Sequence, residues 1–360
     1  MIKGGEVILN SIVILKLGGL GDLLMLTPAI RAYKKSFPEV EVNFIVGKSN
    51  RQALKNNPYI DKLYVIDDFK IFRGSLGQKI FETVRLIKLI KRISPEKIFV
   101  LHRDWRWNFV SFLAGVKERY GFKRDLKGLF LTHAVETSQE EHEIMKYLKI
   151  FGIQEGFKED GVGMDIFPSE QDQEALVEIV GDFFERKDVI VISPGGAANA
   201  KEEMDIRRWP IEYYLLLVKR ILKETNYRIL LIGGKNDIKF TQKLQLDNQR
   251  IFNLTGRTNI QQTYLALKLC KALVTHDSGP MHIGAASGIP VVSLFGPTYP
   301  IEKYPITNPK SVFIWKGKEL SCSPCYKDGR FPECKSKECM YRITVDEVFN
   351  KLMEVINDDN

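Results

Sequence analysis

An apolar run, residues 272–275, breaks at Asp277-Ser278-Gly279-Pro280, and residues of those types in that order can bind an anion. Asp and Ser are capping residues, and proline suits the first helical position, where its missing N–H would be unpaired anyway. A helix that starts at the carboxyl end of a strand presents unpaired N–H groups and the positive end of its dipole, so the expected ligand is a phosphate. Gly288 closes the helix and Pro290 leads into a second apolar strand, 291–295, which completes a βαβ unit. A similar turn, Ser193-Pro194-Gly195-Gly196-Ala197, follows the apolar run 189–193 and exposes further backbone N–H groups. A third glycine-rich turn, 18–21, delivers the chain from the apolar run 12–17 into a helix beginning near Asp22. It is neither a Walker loop, since no Gly-Lys-Ser/Thr follows, nor a dinucleotide fingerprint, since Leu24 takes the place of the third glycine.

Cys322, Cys325, Cys334 and Cys339 form C-x2-C-x8-C-x4-C, with Cys270 apart in a helical stretch. The N-terminus lacks signal-peptide architecture, and the expected location is cytoplasmic. Four clustered thiols in such a chain read as a metal site rather than disulfides. Tetrahedral thiolate suits a structural zinc, or iron, and leaves no open position for catalysis. The alternative is four reduced cysteines without a ligand.

Taken together these stretches resemble a known family. Asp-Ser-Gly-x-x-His at 277–282, followed by Ala-Ala-Ser-Gly-x-Pro-Val-Val-x-Leu-Phe-Gly-Pro-Thr at 285–298, is similar to the C-terminal signature of glycosyltransferase family 9, the ADP-heptose:lipopolysaccharide heptosyltransferases. Two further stretches agree in order: Lys16-Leu17-Gly18-Gly19-Leu20-Gly21-Asp22 with Thr27-Pro28-Ala29, and 193–197 with Arg207-Arg208-Trp209-Pro210. The resemblance implies a GT-B arrangement, two Rossmann-like doubly wound parallel-sheet domains facing a cleft. The implied reaction is inverting transfer of heptose from ADP-heptose to a lipopolysaccharide core acceptor built on Kdo, heptose and lipid A.

Residue roles follow from that resemblance. Asp22 matches the proposed catalytic base, although a carboxylate with a reference pKa of ~3.9 is a weak base that only desolvation would strengthen. Arg207 matches the basic position of K/R-x-W-P, an always charged fork for phosphate oxygens. Ser193, Gly195, Gly196 and Ala197 line the donor diphosphate, and Asp277, Ser278, Gly279 and His282 match donor-binding positions. Asp277 against phosphate would be repulsive, so sugar hydroxyls or backbone N–H groups are its expected partners. The plainer alternatives are N-capping for Asp22 and Asp277, a solvated loop for Arg207 and Arg208, and an ordinary helix residue for His282. No divalent cation is expected in catalysis, because Arg207 and helix N-termini can carry the diphosphate charge and no D-x-D motif lies nearby.

The elements that must position these residues are βα alternations. Strand-like 41–46, 63–66 and 97–101 alternate with helical stretches near 49–56, 78–92 and 105–113, which argues a doubly wound sheet. The polar, glycine-containing stretch 159–165 marks a boundary, giving an N-terminal acceptor domain (1–165) and a C-terminal nucleotide-sugar domain (166–342) that carries the cysteines. Strand-like 189–193, 228–232 and 251–254 continue the second series. The helical spacing of 345–356 suggests a final segment, 343–360, that packs back against the first domain.

The chain has 360 residues, 44% hydrophobic, and a formal net charge of +8. Between Lys70 and Lys127 fifteen Lys or Arg stand against five Asp or Glu, so the basic excess is local. Arg85, Lys88, Lys91 and Arg92 have the spacing of a solvated helix face. Arg103 and Arg106, in His102-Arg103-Asp104-Trp105-Arg106-Trp107, follow a strand and are the candidate acceptor-binding residues. The partner expected there is an anionic, lipid-anchored lipopolysaccharide precursor at the inner membrane surface, where the protein would be peripheral, with no nucleic acid. The rival readings are the same fold with another nucleotide sugar or a protein acceptor, and a nucleic-acid-binding protein with a cysteine metal knuckle. The last has the weakness that its basic stretch and its cysteines fall in different expected domains.

Overall fold

The computed structural model describes residues 10–123, 125–185, 188–325 and 331–357. They form two units, dividing between Asp165 and Ile166. The first holds β1 (Ser11–Lys16), α1 (Leu20–Ser36), β2 (Glu41–Gly47), β3 (Lys62–Ile66), α2 (Asp68–Arg73), α3 (Leu76–Ile93), β4 (Lys97–Val100), α4 (Trp105–Leu113), β5 (Glu118–Phe122), β6 (His133–Val135) and α5 (Glu143–Phe151). The second holds α6 (Glu170–Val180), β7 (Val189–Ser193), α7 (Ile211–Glu224), β8 (Arg228–Leu231), α8 (Ile238–Thr241), β9 (Ile251–Asn253), α9 (Ile260–Leu267), β10 (Ala272–His276), α10 (Gly279–Ser287), β11 (Val291–Phe295), β12 (Val312–Trp315), α11 (Glu338–Tyr341) and α12 (Val345–Asn357).

Each unit is one parallel six-stranded sheet. The orders are β3-β2-β1-β4-β5-β6 and β12-β11-β10-β7-β8-β9. Counted within its own unit each order is 3-2-1-4-5-6, the doubly wound topology expected from the βα alternation. Parallel central strands are covered on both faces, which is why Ile12 to Leu15 and Val189 to Ile192 are uninterrupted β-branched or leucine runs, all buried. In this topology the chain leaves the first and fourth strands in opposite directions, and a crevice opens at their carboxyl ends. Those ends are β1 and β4 in one unit, β7 and β10 in the other.

Helix α1 carries Pro28 inside it, which removes the N–H that would bond the Leu24 carbonyl. The Thr27 hydroxyl takes over and donates to Leu24 O at 2.8 Å. The same hydroxyl accepts from the Asp165 N–H at 2.8 Å. One turn later Arg31 donates to Asp160 Oδ2 at 2.9 Å and to Gly163 O at 2.8 Å, and pairs with Asp165. The stretch read as a boundary is thus fastened to the first helix of its own unit.

Several expectations are corrected. The helix expected near 49–56 is only a 3-10 turn, Arg51–Leu54, in which Ala53 and Leu54 alone are buried, too little apolar surface for a longer helix. The final helix, expected to return to the first domain, belongs to the second unit. Val348, Phe349, Leu352, Val355 and Ile356 join that unit's core with Tyr214, Leu217 and Ile221 of α7, and the Trp209 indole N–H donates to Ile343 O at 3.0 Å just before the helix. Its apolar stripe has been used there. Strands β5, β6 and β12 went unread because β6 and β12 are short, partly buried edge strands, and in β5, second from its edge, Glu118, Arg119 and Gly121 break up the apolar residues. Among the described residues no helix is long and apolar enough to cross a membrane.

Candidate functional site

All three glycine turns singled out from sequence leave strands at the two crevices. In the first unit, the turn after β1 leads into α1, which starts at Leu20 with Gly19 as its uncapped N-cap. Asp22 is therefore not a cap. It sits in the first turn with its side chain 29% exposed, and Lys16 Nζ approaches its Oδ2 at 3.5 Å. Lys16 is nearly buried at the end of β1, donates to Leu101 O at 2.9 Å and stands 5.5 Å over the Tyr147 ring. Gly18 makes this approach possible, because a Cβ there would lie 2.8 Å from Lys16 Cε and 3.4 Å from the Asp22 carboxylate. A helix N-terminus and a lysine therefore both counter the Asp22 charge.

His102, beyond the end of β4, faces the same turn. Its Nε2 accepts from the Leu17 N–H at 2.8 Å, and its ring stacks on Trp107. Burial, then the Lys16 charge, pushes its pKa down to about 3, so it is a neutral acceptor that holds the turn. Arg103 pairs with Glu143 of α5, which also accepts from Lys146 Nζ at 3.1 Å. Glu143 and Lys146 are buried, while the Arg103 side chain stays one-third exposed. The Glu143 carboxylate thus faces two cations, one from the approach to α4 and one from its own helix. Arg106 stands apart from this cluster in character. It is 76% exposed and gripped by Asp104, the N-cap of α4, through Nε at 2.9 and 3.0 Å. Burial foremost, then Asp22 and Glu143, raises the Tyr147 phenol well above its usual pKa while Arg103 opposes them, so all three charges surround that one ring.

In the second unit the turn after β7 is built around a residue that went unremarked in the sequence, Asp237. Its carboxylate accepts from the Gly196 N–H at 2.7 Å and the Gly234 N–H at 2.8 Å. A Cβ on Gly195 would sit 2.3 Å from the Asp237 carboxyl carbon, so glycine there is what admits it. Arg208 clamps the other side, donating to Gly196 O through Nη2 at 2.7 Å and Nε at 3.2 Å. Gly196 and Ala197 both have positive φ, which turns the loop toward Ser278. The Gly196 N–H, expected to serve a phosphate, is thus occupied by a carboxylate. Ser193 is wholly buried at the end of β7, where Thr275 Oγ1 donates to its carbonyl at 3.2 Å.

Helix α10 starts at Gly279 with Ser278 as N-cap and Pro280 in its first turn, and no side chain caps it. The Ser278 hydroxyl turns back to donate to His276 O at 3.1 Å. Asp277 does not cap either. Its two oxygens are taken by Arg207, in a buried ion pair, and by Thr298 Oγ1 at 2.7 Å. Burial pushes the Asp277 carboxyl up, but the charges of Arg207 and Lys303 and the two hydrogen bonds outweigh it and hold the group well below the usual carboxylate range. Among the protein groups, Asp277 meets an arginine and a threonine hydroxyl rather than the backbone N–H groups expected as one of its partners. The Arg207 Nε–H is buried and has no hydrogen-bond partner among the described residues, and the guanidinium lies 6.0 Å from the Phe331 ring. Arg207 and Arg208 separate cleanly, one at the Asp277 end of the crevice and the other holding the loop. His282 is buried in α10. His276 is buried too, its pKa driven down to about 3 by burial and then by the two arginines, with the Tyr214 hydroxyl 3.2 Å from Nδ1.

Of the four clustered cysteines, Cys339 is buried on α11 and Cys322 is exposed, with Cys325 and Cys334 between. All are free thiols. The Cys325 N–H donates to Pro297 O at 3.0 Å, and a Cβ on Gly296 would meet Met340 and Cys339, so the segment is folded against the end of β11. Burial, then Cys325, Cys334 and Cys322, pushes the Cys339 thiol up to about 11, so the other three lie within electrostatic reach of it. Among the described residues no three His, Cys, Asp or Glu side chains stand close enough to hold a metal ion. An all-thiol donor set nevertheless fits zinc or iron in chemical type.

Lys16, Glu143, Lys146, Asp237 and Thr298 were missed as site residues. Lys16 alone left a sequence signal, a charge closing a β-branched run; the others take their meaning from contacts across the fold.

Residues 83–335 match the model of glycosyltransferase family 9 (heptosyltransferase). Lipopolysaccharide heptosyltransferase 2 of Salmonella typhimurium is 24% identical over 293 residues, 78% of this chain and 81% of the relative. The solved ADP-heptose LPS heptosyltransferase II of Escherichia coli superposes with a TM-score of 0.73 at 20% identity, covering 97% of this chain and 99% of that one. A glycosyl transferase family 9 structure from Veillonella parvula gives 0.74 at 20% identity, covering 97% and 98%. The two parallel six-stranded units match these structures in fold, the GT-B class.

Proposed function

The chain belongs to glycosyltransferase family 9, the heptosyltransferases, and on that premise we propose that it moves heptose from ADP-heptose to a lipopolysaccharide core acceptor with inversion. The observation that carries the reading is the Arg207–Asp277 pair beside the uncapped start of α10. An ADP leaving group gains a negative charge, and an arginine beside a helix start that no side chain caps can stabilise it without a divalent cation. Asp277 would keep Arg207 extended and partly neutralised until the diphosphate arrives.

In this reading Asp22 takes the acceptor hydroxyl proton as that oxygen attacks the anomeric carbon and the bond to the diphosphate breaks. Lys16 holds the carboxylate in place. The partly exposed Arg103 would meet the anionic acceptor, with the more exposed Arg106, paired with Asp104, at the margin. The relatives' names support a lipopolysaccharide core, and the local basic excess supports an acidic acceptor.

The four cysteines would hold a structural zinc or iron that fixes the segment after β12 against the end of β11. The metal would draw protons off the thiols and relieve their mutual repulsion. Elemental analysis of protein purified without chelator should find about one metal per chain. Freely titrating thiols and no metal would remove this part of the proposal.

The test of function is product analysis. The purified chain, ADP-heptose and a Kdo–lipid A acceptor should yield an acceptor heavier by one heptose. Product only with another sugar nucleotide, or only on protein, would favour those alternatives.

A further inference from the structure

Helix α3 carries two different outward surfaces on one stripe. Glu82, Leu86 and Ile90 face inward and are buried. On the outer side Leu76, Ile80 and Val84, spaced one turn apart, are 74%, 55% and 43% exposed, and Phe81 beside them is 66% exposed. The stripe then changes chemistry, continuing through Arg85, Lys88, Lys91 and Arg92, all exposed. Between Lys70 and Arg92 the single acidic residue is Glu82, which is buried, with Arg85 Nη1 3.6 Å from its carboxylate. Phe69 of neighbouring α2 adds a further exposed ring. A run of exposed aliphatic and aromatic side chains of this kind marks an interaction surface rather than a solvated face.

We propose that the outer face of α2 and α3 docks the protein on an anionic bilayer, with Leu76, Ile80, Phe81 and Val84 entering the headgroup–acyl boundary and Arg85, Lys88, Lys91 and Arg92 meeting the lipid phosphates. Apolar surface combined with lysine and arginine is what an interfacial helix requires, because burial holds it and anionic lipid attracts it. A second copy of the chain fits poorly, since a symmetric pair would set Lys88, Lys91 and Arg92 of one copy against the same cations of the other, with no exposed carboxylate on the stripe to offset them. Nucleic acid fits poorly too, because three of the four apolar side chains are aliphatic and offer no ring for base stacking.

The position of the face agrees with its use. Because β3 and β4 are parallel to β1, α3 runs against them and begins at the carboxyl edge of the sheet, the edge that carries Asp22 and Arg103. Phe72 of α2 packs edge-on against Trp107 of α4, 6.2 Å between centroids, which ties this face to the helix that follows Arg103. An acceptor anchored in the same bilayer would meet the basic cluster from there.

The surface gives a reason for a lipid-anchored acceptor but is tested without turnover, so the two readings fail separately. The full chain is floated with vesicles of phosphatidylcholine alone and of phosphatidylcholine mixed with phosphatidylglycerol. It should partition into the mixed vesicles and be released by salt. Ile80→Glu with Phe81→Glu, and separately Lys88→Glu with Lys91→Glu, should each lower that partition roughly tenfold or more. Thermal stabilisation by ADP, which reports the second unit, should stay unchanged. Phe81→Ser is the milder substitution should the double glutamate unfold by circular dichroism. Flotation of all variants equal to the parent overturns the proposal. So does loss of a concentration-dependent dimer, instead of vesicle binding, on substitution of Phe81.

Discussion

Arg207 and Asp277, from the two strand exits of the second-unit crevice, form an ion pair in which the carboxylate is buried and the guanidinium almost so. The pair reconciles two facts that conflict in the sequence, an acidic residue at a position suited to phosphate and an arginine suited to the same phosphate. The carboxylate does not face the ligand as a free anion. It spends its charge on the arginine, which retains an Nε–H for another partner.

Removing one member leaves the other buried and uncompensated. Arg207→Ala should therefore cost about 3–5 kcal/mol of stability. Arg207→Lys should cost less, since the charge survives and the fork does not. ADP affinity should fall with both. Urea denaturation and calorimetric ADP titration measure the two effects, and an Arg207→Ala protein as stable as the parent would show that the pair contributes nothing.

The pair also sets a pH dependence. The native carboxyl of Asp277 is held below its unfolded value of ~3.9, so it binds a proton less readily when folded. Its contribution is fully present above that unfolded value and is lost as pH falls toward the folded one. His102 and His276 act in the same direction at higher pH, because both are neutral when folded, with values near 3, and take up protons on unfolding below about 6.5. Stability should thus decline steadily from pH 7 to 3, and Asp277→Asn should flatten only the acid end of the curve. A parallel decline in both proteins would count against the pair.

Asp22→Asn preserves shape and removes the proposed base. Turnover should drop by ~10²- to 10⁴-fold with ADP binding intact. Because Gly19, not Asp22, is the N-cap of α1, no large loss of stability should accompany it. Parent-rate turnover in a folded Asp22→Asn protein would exclude the role.

Gly195→Ala tests the loop that Asp237 organises. The added methyl overlaps the Asp237 carboxylate, so the two N–H hydrogen bonds from Gly196 and Gly234 should break and the loop should move. A loss of ADP affinity of at least about tenfold is expected, in line with one or two charge-assisted hydrogen bonds. Unchanged affinity would mean that this loop does not shape the donor site.

What the sequence determined by itself was local. Uninterrupted β-branched runs, glycine turns and capping residues locate the central strands and the starts of α1 and α10, because those signals are set within a few residues of the chain. The edge strands β6 and β12 stayed hidden because they are short and only partly buried, and β5 because charged residues and a glycine interrupt it. The family motifs brought out Asp22, Arg207 and Asp277 but not their states. Whether Asp277 meets a phosphate, a helix or an arginine depends on where β7 and β10 end beside each other, and adjacency in the sheet is decided by long-range pairing. Asp237 became a site residue only because Gly195 and Gly233 leave room for its carboxylate, and α12 stayed with the second unit because α7 and the sheet offered its apolar stripe a partner. Position along the chain assigns a residue its chemistry, while neighbours brought together by packing decide its charge, its partners and how much of it remains for a substrate.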